Sequence, residues 1–224
     1  MGQPATYENG SAATTAEQPP YPPQDPMALT DIYQADTNIA IWERNLEPQL
    51  MAEVENFLAC NSRFQLSTVI SPDSAYQAIY KALGNRDEYR LLSEDIAQLV
   101  DMFCCLFELE RVGLRLTVLD RAMCPRFHVD RVPCRLVTTY QGIATEWLPH
   151  QAVDRSKLGM GNGGKPDEIS GLIKQPDSIK RLNAGDIGLL KGELWIDNEG
   201  AGLVHRSPAV TEGERRLLLT LDFN

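Results

Sequence analysis

His128 and Asp130 stand two residues apart in Cys124-Pro125-Arg126-Phe127-His128-Val129-Asp130, and another histidine, His205, follows some 75 residues on in Gly202-Leu203-Val204-His205-Arg206-Ser207-Pro208. On an extended strand, residues two apart leave the same face, so His128 and Asp130 can reach one metal ion from a single strand. His205 must be brought opposite by a distant strand, as the closing of a barrel would do. Two neutral imidazoles and one carboxylate suit Fe(II), Mn(II) or Zn(II). On one face of an octahedral ion they leave the other positions open for a co-substrate and oxygen, the arrangement of non-haem iron sites. The chain has three histidines, and two of them occupy these places. The third, His150 in Trp147-Leu148-Pro149-His150, reads as a loop residue. The alternative is a metal-free barrel, an interaction module in which the H-x-D pair is inert.

Arg215 and Arg216 follow His205 by 10 and 11 positions and open the alternating run Leu217-Leu218-Leu219-Thr220-Leu221-Asp222-Phe223. If Leu217, Leu219 and Leu221 face an outer core, then Arg216, Leu218 and Thr220 face the lumen. A lumenal guanidinium is a costly charge unless it grips a carboxylate, to which its planar fork is matched. Arg216 is therefore the expected anchor for the carboxylate of a 2-oxoacid co-substrate, with Arg215 as the fallback. An internal salt bridge to Asp222 or Glu146 is the alternative. Tyr140, on the neighbouring strand, is expected to add a hydrogen bond to the same carboxylate, with Thr138 on its face; an ordinary sheet tyrosine is the competing reading. Glu146 and Trp147 are expected at the substrate mouth, Trp147 equally as core. Cys124, four residues before His128, is a possible extra ligand. A thiolate there would favour Zn(II) and close the site into a structural or storage-like one. Packing is the alternative for Cys124 and for Cys134.

The elements that must position these residues fall into two regimes. Glu47 to Cys60 carries Leu50, Val54, Phe57 and Leu58 at helical spacing, and further helical patterns run from Ser74 to Leu83 and from Ser93 to about Glu110, the last opened by Ser93-Glu94-Asp95. From Val112 onward the pattern alternates. Strands are expected at 112–118, 135–140, 187–190, 194–196, 203–205 and 217–223, with an earlier one at Ile39-Ala40-Ile41-Trp42. Short strands separated by turn residues indicate a β-sandwich or barrel. The expected organisation is a disordered tail over 1–27, a helical support region over 28–111 and a β-rich metal-binding region over 112–224, with 28–224 as one compact domain. Residues 1–27 are rich in Pro, Gly, Ser and Thr and poor in aliphatics, so they cannot offset their ordering entropy by burial. The glycine-rich loop at Gly159 to Pro166, with no helix expected after it, reads as a lid or plain connection rather than a nucleotide cradle. A net charge of −10 with no basic block argues against nucleic acid. No apolar run is long enough for a membrane span, no secretory leader is evident, and an odd five cysteines suggest no disulfide framework, so a cytoplasmic protein is expected.

Two resemblances add to this reading. Gly185-Asp186 through Leu189-Leu190, then His205-Arg206-Ser207-Pro208-Ala209-Val210 and Arg215-Arg216-Leu217-Leu218-Leu219-Thr220-Leu221, resemble the C-terminal half of prolyl-hydroxylase-type 2-oxoglutarate oxygenases. That implies an α+β protein built on a double-stranded β-helix, a jelly-roll or cupin-like barrel, with Fe(II) and 2-oxoglutarate as cofactors and dioxygenase chemistry on an unidentified small-molecule or protein substrate. Cys124-Pro125-x-Phe127-His128-x-Asp130, with Arg135-Leu136-Val137-Thr138-Thr139-Tyr140-x-Gly142-x-x-Thr145-Glu146-Trp147-Leu148, is similar to the bacterial domain-of-unknown-function family 1826. This second resemblance implies a link to zinc homeostasis and to a metal-chaperone GTPase, and with it a non-catalytic zinc-binding protein as the alternative to an oxygenase.

Overall fold

The computed structural model describes residues 21–224. Two antiparallel sheets carry the site, and three helices back the larger one. In chain order the elements are β1 (Ile39–Trp42), α1 (Pro48–Cys60), β2 (Gln65–Ile70), α2 (Pro72–Ala82), α3 (Arg90–Phe107), β3 (Val112–Leu119), β4 (Cys134–Gln141), β5 (Glu146–Leu148), α4 (Asp167–Ser170), β6 (Lys180–Arg181), β7 (Ile187–Lys191), β8 (Val204–Arg206) and β9 (Arg216–Phe223). The six-stranded sheet has the order β1-β7-β4-β9-β3-β2, and the three-stranded sheet the order β6-β5-β8.

Alternation along the strands sorts side chains into three apolar layers. Leu114 and Leu116 of β3, Leu136 of β4, Ile187 and Leu189 of β7, and Leu217, Leu219 and Leu221 of β9 pack in one cluster with Val54 and Phe57 of α1, Ile79 of α2 and Ile96, Leu99 and Phe103 of α3. The opposite faces of the same strands supply Val137, Leu190 and Leu218 to a second cluster that takes in Trp147 of the smaller sheet. Leu148 and Val204, on the smaller sheet's other face, form a third with Phe127, Val153 and Leu172. Strand β9 thus presents leucines to the helices at odd positions and Arg216, Leu218 and Thr220 to the space between the sheets, the phase read from its sequence.

The helices start where local chemistry allows. Pro48 and Pro72 occupy the first turns of α1 and α2, where a missing N–H costs nothing. Helix α3 begins at Arg90 rather than at the expected Ser93, whose hydroxyl is buried and donates back to the Tyr89 carbonyl at 2.8 Å. It stops at Glu108, which adopts a left-handed conformation at φ 53°.

Three sequence expectations change here. The helical support region over 28–111 holds, besides the expected strand β1, an unexpected one, β2, and the two form the edges of the six-stranded sheet. Residues 194–196 form no strand; the chain turns there, leaving Leu194 and Ile196 exposed and Asp197 at φ 59°. The tail expected over 1–27 lies outside the described residues up to position 20. Its last part leads into a 3-10 helix at Pro26–Tyr33 and is tied to β1 by the Trp42 indole, which donates to the Gln24 carbonyl at 3.0 Å. No helix among the described residues is long and apolar enough to cross a membrane.

Candidate metal centre

His128 and His205 face one another through a two-residue antiparallel bridge in which each backbone N–H donates to the other's carbonyl at 3.0 Å. The bridge adds the His128 segment to the edge of β8 and brings the two rings to a centroid separation of 4.6 Å. Each Nδ1 sits on a backbone carbonyl, that of Arg126 at 2.9 Å for His128 and that of Leu203 at 3.2 Å for His205. A carbonyl can only accept, so Nδ1 carries the proton and each Nε2 is left with its lone pair. Both Nε2 atoms point at Asp130, at 3.6 Å for His128 and 3.3 Å for His205. These spacings are close to the roughly 3 Å edge of an octahedron whose metal–ligand bonds are about 2.1 Å. Among the described residues, His128, Asp130 and His205 are the one group of three or more His, Cys, Asp or Glu whose ligand atoms lie within 4.8 Å of one another.

The carboxylate is held by charge. Burial would raise the Asp130 pKa, yet the two imidazoles at 3.6 and 3.3 Å and the charge of Arg135 keep the carboxyl well below the usual carboxylate range. The Asp130 carboxylate beside it lifts the His128 imidazole above its ordinary value, against its burial. Arg135 donates from Nη1 to Asp130 at 2.7 Å while its Nε and Nη2 fork the carboxylate of Asp222 at 2.7 and 2.9 Å.

Arg216 lines the same cavity as the histidines, a space of about 60 Å³ bounded by His128, Arg135, Val137, His205, Arg216 and Leu218 among others. The residue is fully buried, its Nη1 donates to the Ser207 hydroxyl at 2.8 Å and its Nη2 to the Thr139 hydroxyl at 3.1 Å, and its Nε has no partner. Burial with no opposing carboxylate brings its pKa down to about 10. Both carboxylates that might have neutralised it are engaged elsewhere. Asp222 belongs to Arg135, and Glu146 to Arg181 and Arg206 at 2.6 and 2.8 Å. Gly142 lets the turn after β4 approach this point: with φ at 94°, any Cβ there would stand 2.8 Å from Arg216 Cβ and from the Arg215 carbonyl.

The structure brings some of the expected residues together and separates others. Arg215 points away and donates to the Leu58 carbonyl of α1. Tyr140 and Thr138 are on the helix-facing side of β4, not the cavity side, so neither reaches Arg216. β4 has the opposite phase to the one expected: Val137 and Thr139 face the space between the sheets, Leu136 and Tyr140 the helices, and the strand bulges between Thr139 and Gln141. Thr139 takes the place expected of Thr138. The Tyr140 hydroxyl donates to Asp95 of α3 at 2.6 Å, beside the Arg44 guanidinium that forks the same carboxylate. Tyr140→Phe is therefore expected to cost about 1.5–3 kcal/mol of stability, the worth of a hydrogen bond to a charged group, as read by denaturant unfolding, and to leave ligand binding at the cavity unchanged.

Glu146 is not at an open mouth either. It is buried in its pair with Arg181 and Arg206; burial would raise its pKa, but those two hydrogen bonds hold it below the ordinary value. Trp147 is directly opposite His205 across β5 and β8 and packs into the cluster between the sheets. Cys124 is exposed and lines the cavity, outside the group of gathered ligand atoms; Cys134 is buried and its thiol is pushed up by burial. The Gly159–Pro166 loop is tied to the metal segment at its far end. Arg126 donates to the Lys165 carbonyl at 2.9 Å, and the Phe127 N–H to the buried Asp167 carboxylate at 2.7 Å. His150 is exposed beside Arg155.

Sequence reasoning missed Arg135 and Ser207 as cavity residues and Thr139 as a partner of Arg216; the alternative that paired Arg216 with Asp222 does not hold, because Asp222 is taken by Arg135. The one available signal was Arg135 itself: an arginine within an apolar strand marks the face that Val137 and Thr139 share.

The family model described as "Protein of unknown function (DUF1826)" matches residues 23–222. No curated protein matches the chain in sequence. Among solved structures, the chain is similar to the dioxygenase for auxin oxidation of rice, at a TM-score of 0.50 and 11% identity over 84% of this chain and 74% of that one. It is also similar to a Pseudomonas putida prolyl-4-hydroxylase, at a TM-score of 0.44 and 13% identity over 88% and 96% of the two chains. A non-heme alpha ketoglutarate dependent carbocyclase from nogalamycin biosynthesis gives a TM-score of 0.43 and 14% identity over 86% and 81%. At these identities the likeness concerns the fold alone.

Proposed function

Because the chain belongs to the protein family of unknown function DUF1826, whose description names no reaction, we propose its chemistry from the site: an Fe(II)- and 2-oxoglutarate-dependent oxygenase on a double-stranded β-helix. The observation that carries this reading is Arg216, a buried guanidinium with an unpaired Nε and no carboxylate of its own, in the cavity that the histidines also line. A buried cation of this kind is expensive unless a ligand completes it. Its hydroxyl partner Ser207 is two residues from His205, about 7 Å along an extended chain, a separation that matches a short dicarboxylate spanning from the His-Asp-His group to the guanidinium. The rice dioxygenase supports the fold part of the proposal.

In this reading His128, Asp130 and His205 hold the iron through Nε2, a carboxylate oxygen and Nε2. Bound iron would supply dioxygen activation coupled to oxidative decarboxylation of the 2-oxoacid. Arg216 grips the distal carboxylate, with Thr139 and Ser207 orienting the guanidinium through two hydroxyls. Val137, Leu190 and Leu218 line the path between and keep water from the acid's carbon chain. The carbonyls of Arg126 and Leu203 fix both imidazoles in the tautomer that a metal ligand needs. Zinc storage has less support, because Cys124, the ligand that would close a zinc site, stands outside the gathered group.

The test is to load anaerobically purified protein with Fe(II), titrate it with 2-oxoglutarate and then admit oxygen. The expected result is the weak visible charge-transfer band of an iron–2-oxoacid complex, followed by succinate release without added substrate. Iron-loaded protein that shows neither band nor succinate would overturn the reading.

A further inference from the structure

We propose that Arg135, clamped by Asp222, is a positioning residue that makes Asp130 a one-oxygen metal ligand; the inference rests on the metal reading above. Asp130 lies in the irregular segment 129–133, outside every strand, so no ladder sets its side chain. Its backbone carbonyl is fixed by the Glu193 N–H at 2.9 Å, but that leaves both side-chain torsions free. Arg135 and Asp222 are directly opposed on β4 and β9, at the centre of the larger sheet. The planar fork formed by Nε and Nη2 on the Asp222 carboxylate uses one edge of the guanidinium and fixes the plane of the whole group.

Nη1 is left over, and it is aimed at Asp130 Oδ2 at 2.7 Å. All three side chains are well shielded from solvent, with relative exposures of 19%, 14% and 12% for Arg135, Asp222 and Asp130. The two oxygens of Asp130 are therefore unequal. Oδ2 accepts from the charged Arg135 and lies 3.3 Å from the His205 Nε2, whereas Oδ1 takes no bond from Arg135, faces the His128 Nε2 at 3.6 Å and has a lone pair to give to an ion. A carboxylate free at both oxygens can chelate and take two positions on one metal. With Oδ2 held by a cation it takes one, and a position is kept open. A pair serving only to join β4 to β9 would be complete with the Asp222 fork. The third hydrogen bond is the part that a sheet-stapling role does not need.

The probe is Co(II) alone, followed by calorimetric titration and by its visible absorption, which responds to coordination number without turnover. The variants are Arg135→Lys and the double change Arg135→Gln with Asp222→Asn, which removes both charges of the clamp together and so strands neither in the sheet. The double variant is expected to bind Co(II) about 10–100-fold more weakly, the usual cost of losing an outer partner of a metal ligand, with an altered band shape. Arg135→Lys, which keeps a donor for Asp130, is expected to recover part of the affinity and the wild-type band shape. Thermal unfolding of the metal-free proteins checks that the variants fold. Unchanged affinity and band shape in the double variant, or tighter binding, would sink this inference and leave the metal site standing. Failure of the wild-type protein to take up Co(II) would overturn the metal site itself and this inference with it.

Discussion

Arg216→Met is expected to stabilise the metal-free protein and to weaken 2-oxoglutarate binding strongly. The two effects share a cause. A guanidinium buried without a carboxylate carries a desolvation penalty that its bonds to Ser207 and Thr139 only partly offset, and its Nε has no partner at all. Replacing even a buried ion pair by apolar side chains of similar volume is often neutral or stabilising by about 1–4 kcal/mol, and a buried cation without a carboxylate has no Coulombic gain to lose. The low end, about 1–2 kcal/mol, applies here because two hydroxyls lose a donor. For a chain of this size that corresponds to a rise of several degrees in melting temperature, measurable by calorimetry. Affinity for 2-oxoglutarate should fall by about 2–5 kcal/mol, the cost of truncating one partner of a buried charge pair. A variant with lower stability and unchanged 2-oxoglutarate affinity would show Arg216 to be a structural brace for β9.

His205→Ala is expected to remove metal binding, with a loss larger than the roughly 10–100-fold that follows from an outer-shell change. His205 is buried between β5 and the cavity and supplies one of three ligand atoms. Its backbone bridge to His128 does not depend on the side chain, so the strand pairing should survive. His150→Ala is the control, since that residue is exposed and away from the group. Equal metal content by elemental analysis in wild type, His205→Ala and His150→Ala would remove the metal site from consideration.

Which features could be read from residues alone follows from how each is encoded. Helices α1 to α3 and strand β3 announce themselves by period, and β7 and β9 as short apolar runs bounded by turn residues. Strand β2, Gln65-Leu66-Ser67-Thr68-Val69-Ile70, is a half-exposed edge with little apolar contrast, and β5 and β6 are two or three residues long, too short for any period. Leu194-Trp195-Ile196 mimics a strand but turns at Asp197. The His-Asp-His group was legible because histidine is scarce in this chain and two of the three converge. The phase of β4 was not, because both of its faces are buried and a bulge interrupts it. The Arg135–Asp222 clamp joins residues far apart in sequence, and no spacing rule predicts which of several arginines takes which carboxylate.

Strand β9 is the last strand in chain order among the described residues, yet it lies in the middle of the larger sheet between β3 and β4. During synthesis β3 and β4 therefore emerge with open inner edges and no partner for them until residues 216–223 arrive. Such long-range closure is slow, and unpaired edges are templates for aggregation while they wait. Arg216 and Asp222 ride on that same strand, so the cavity's anchor and the clamp on Asp130 are both delivered in the step that seals the sheet. A chain made as far as β4 already holds His128, Asp130 and Arg135 but lacks His205, Arg216 and the Asp222 that fixes Arg135, so the site is ordered only once β9 is in place.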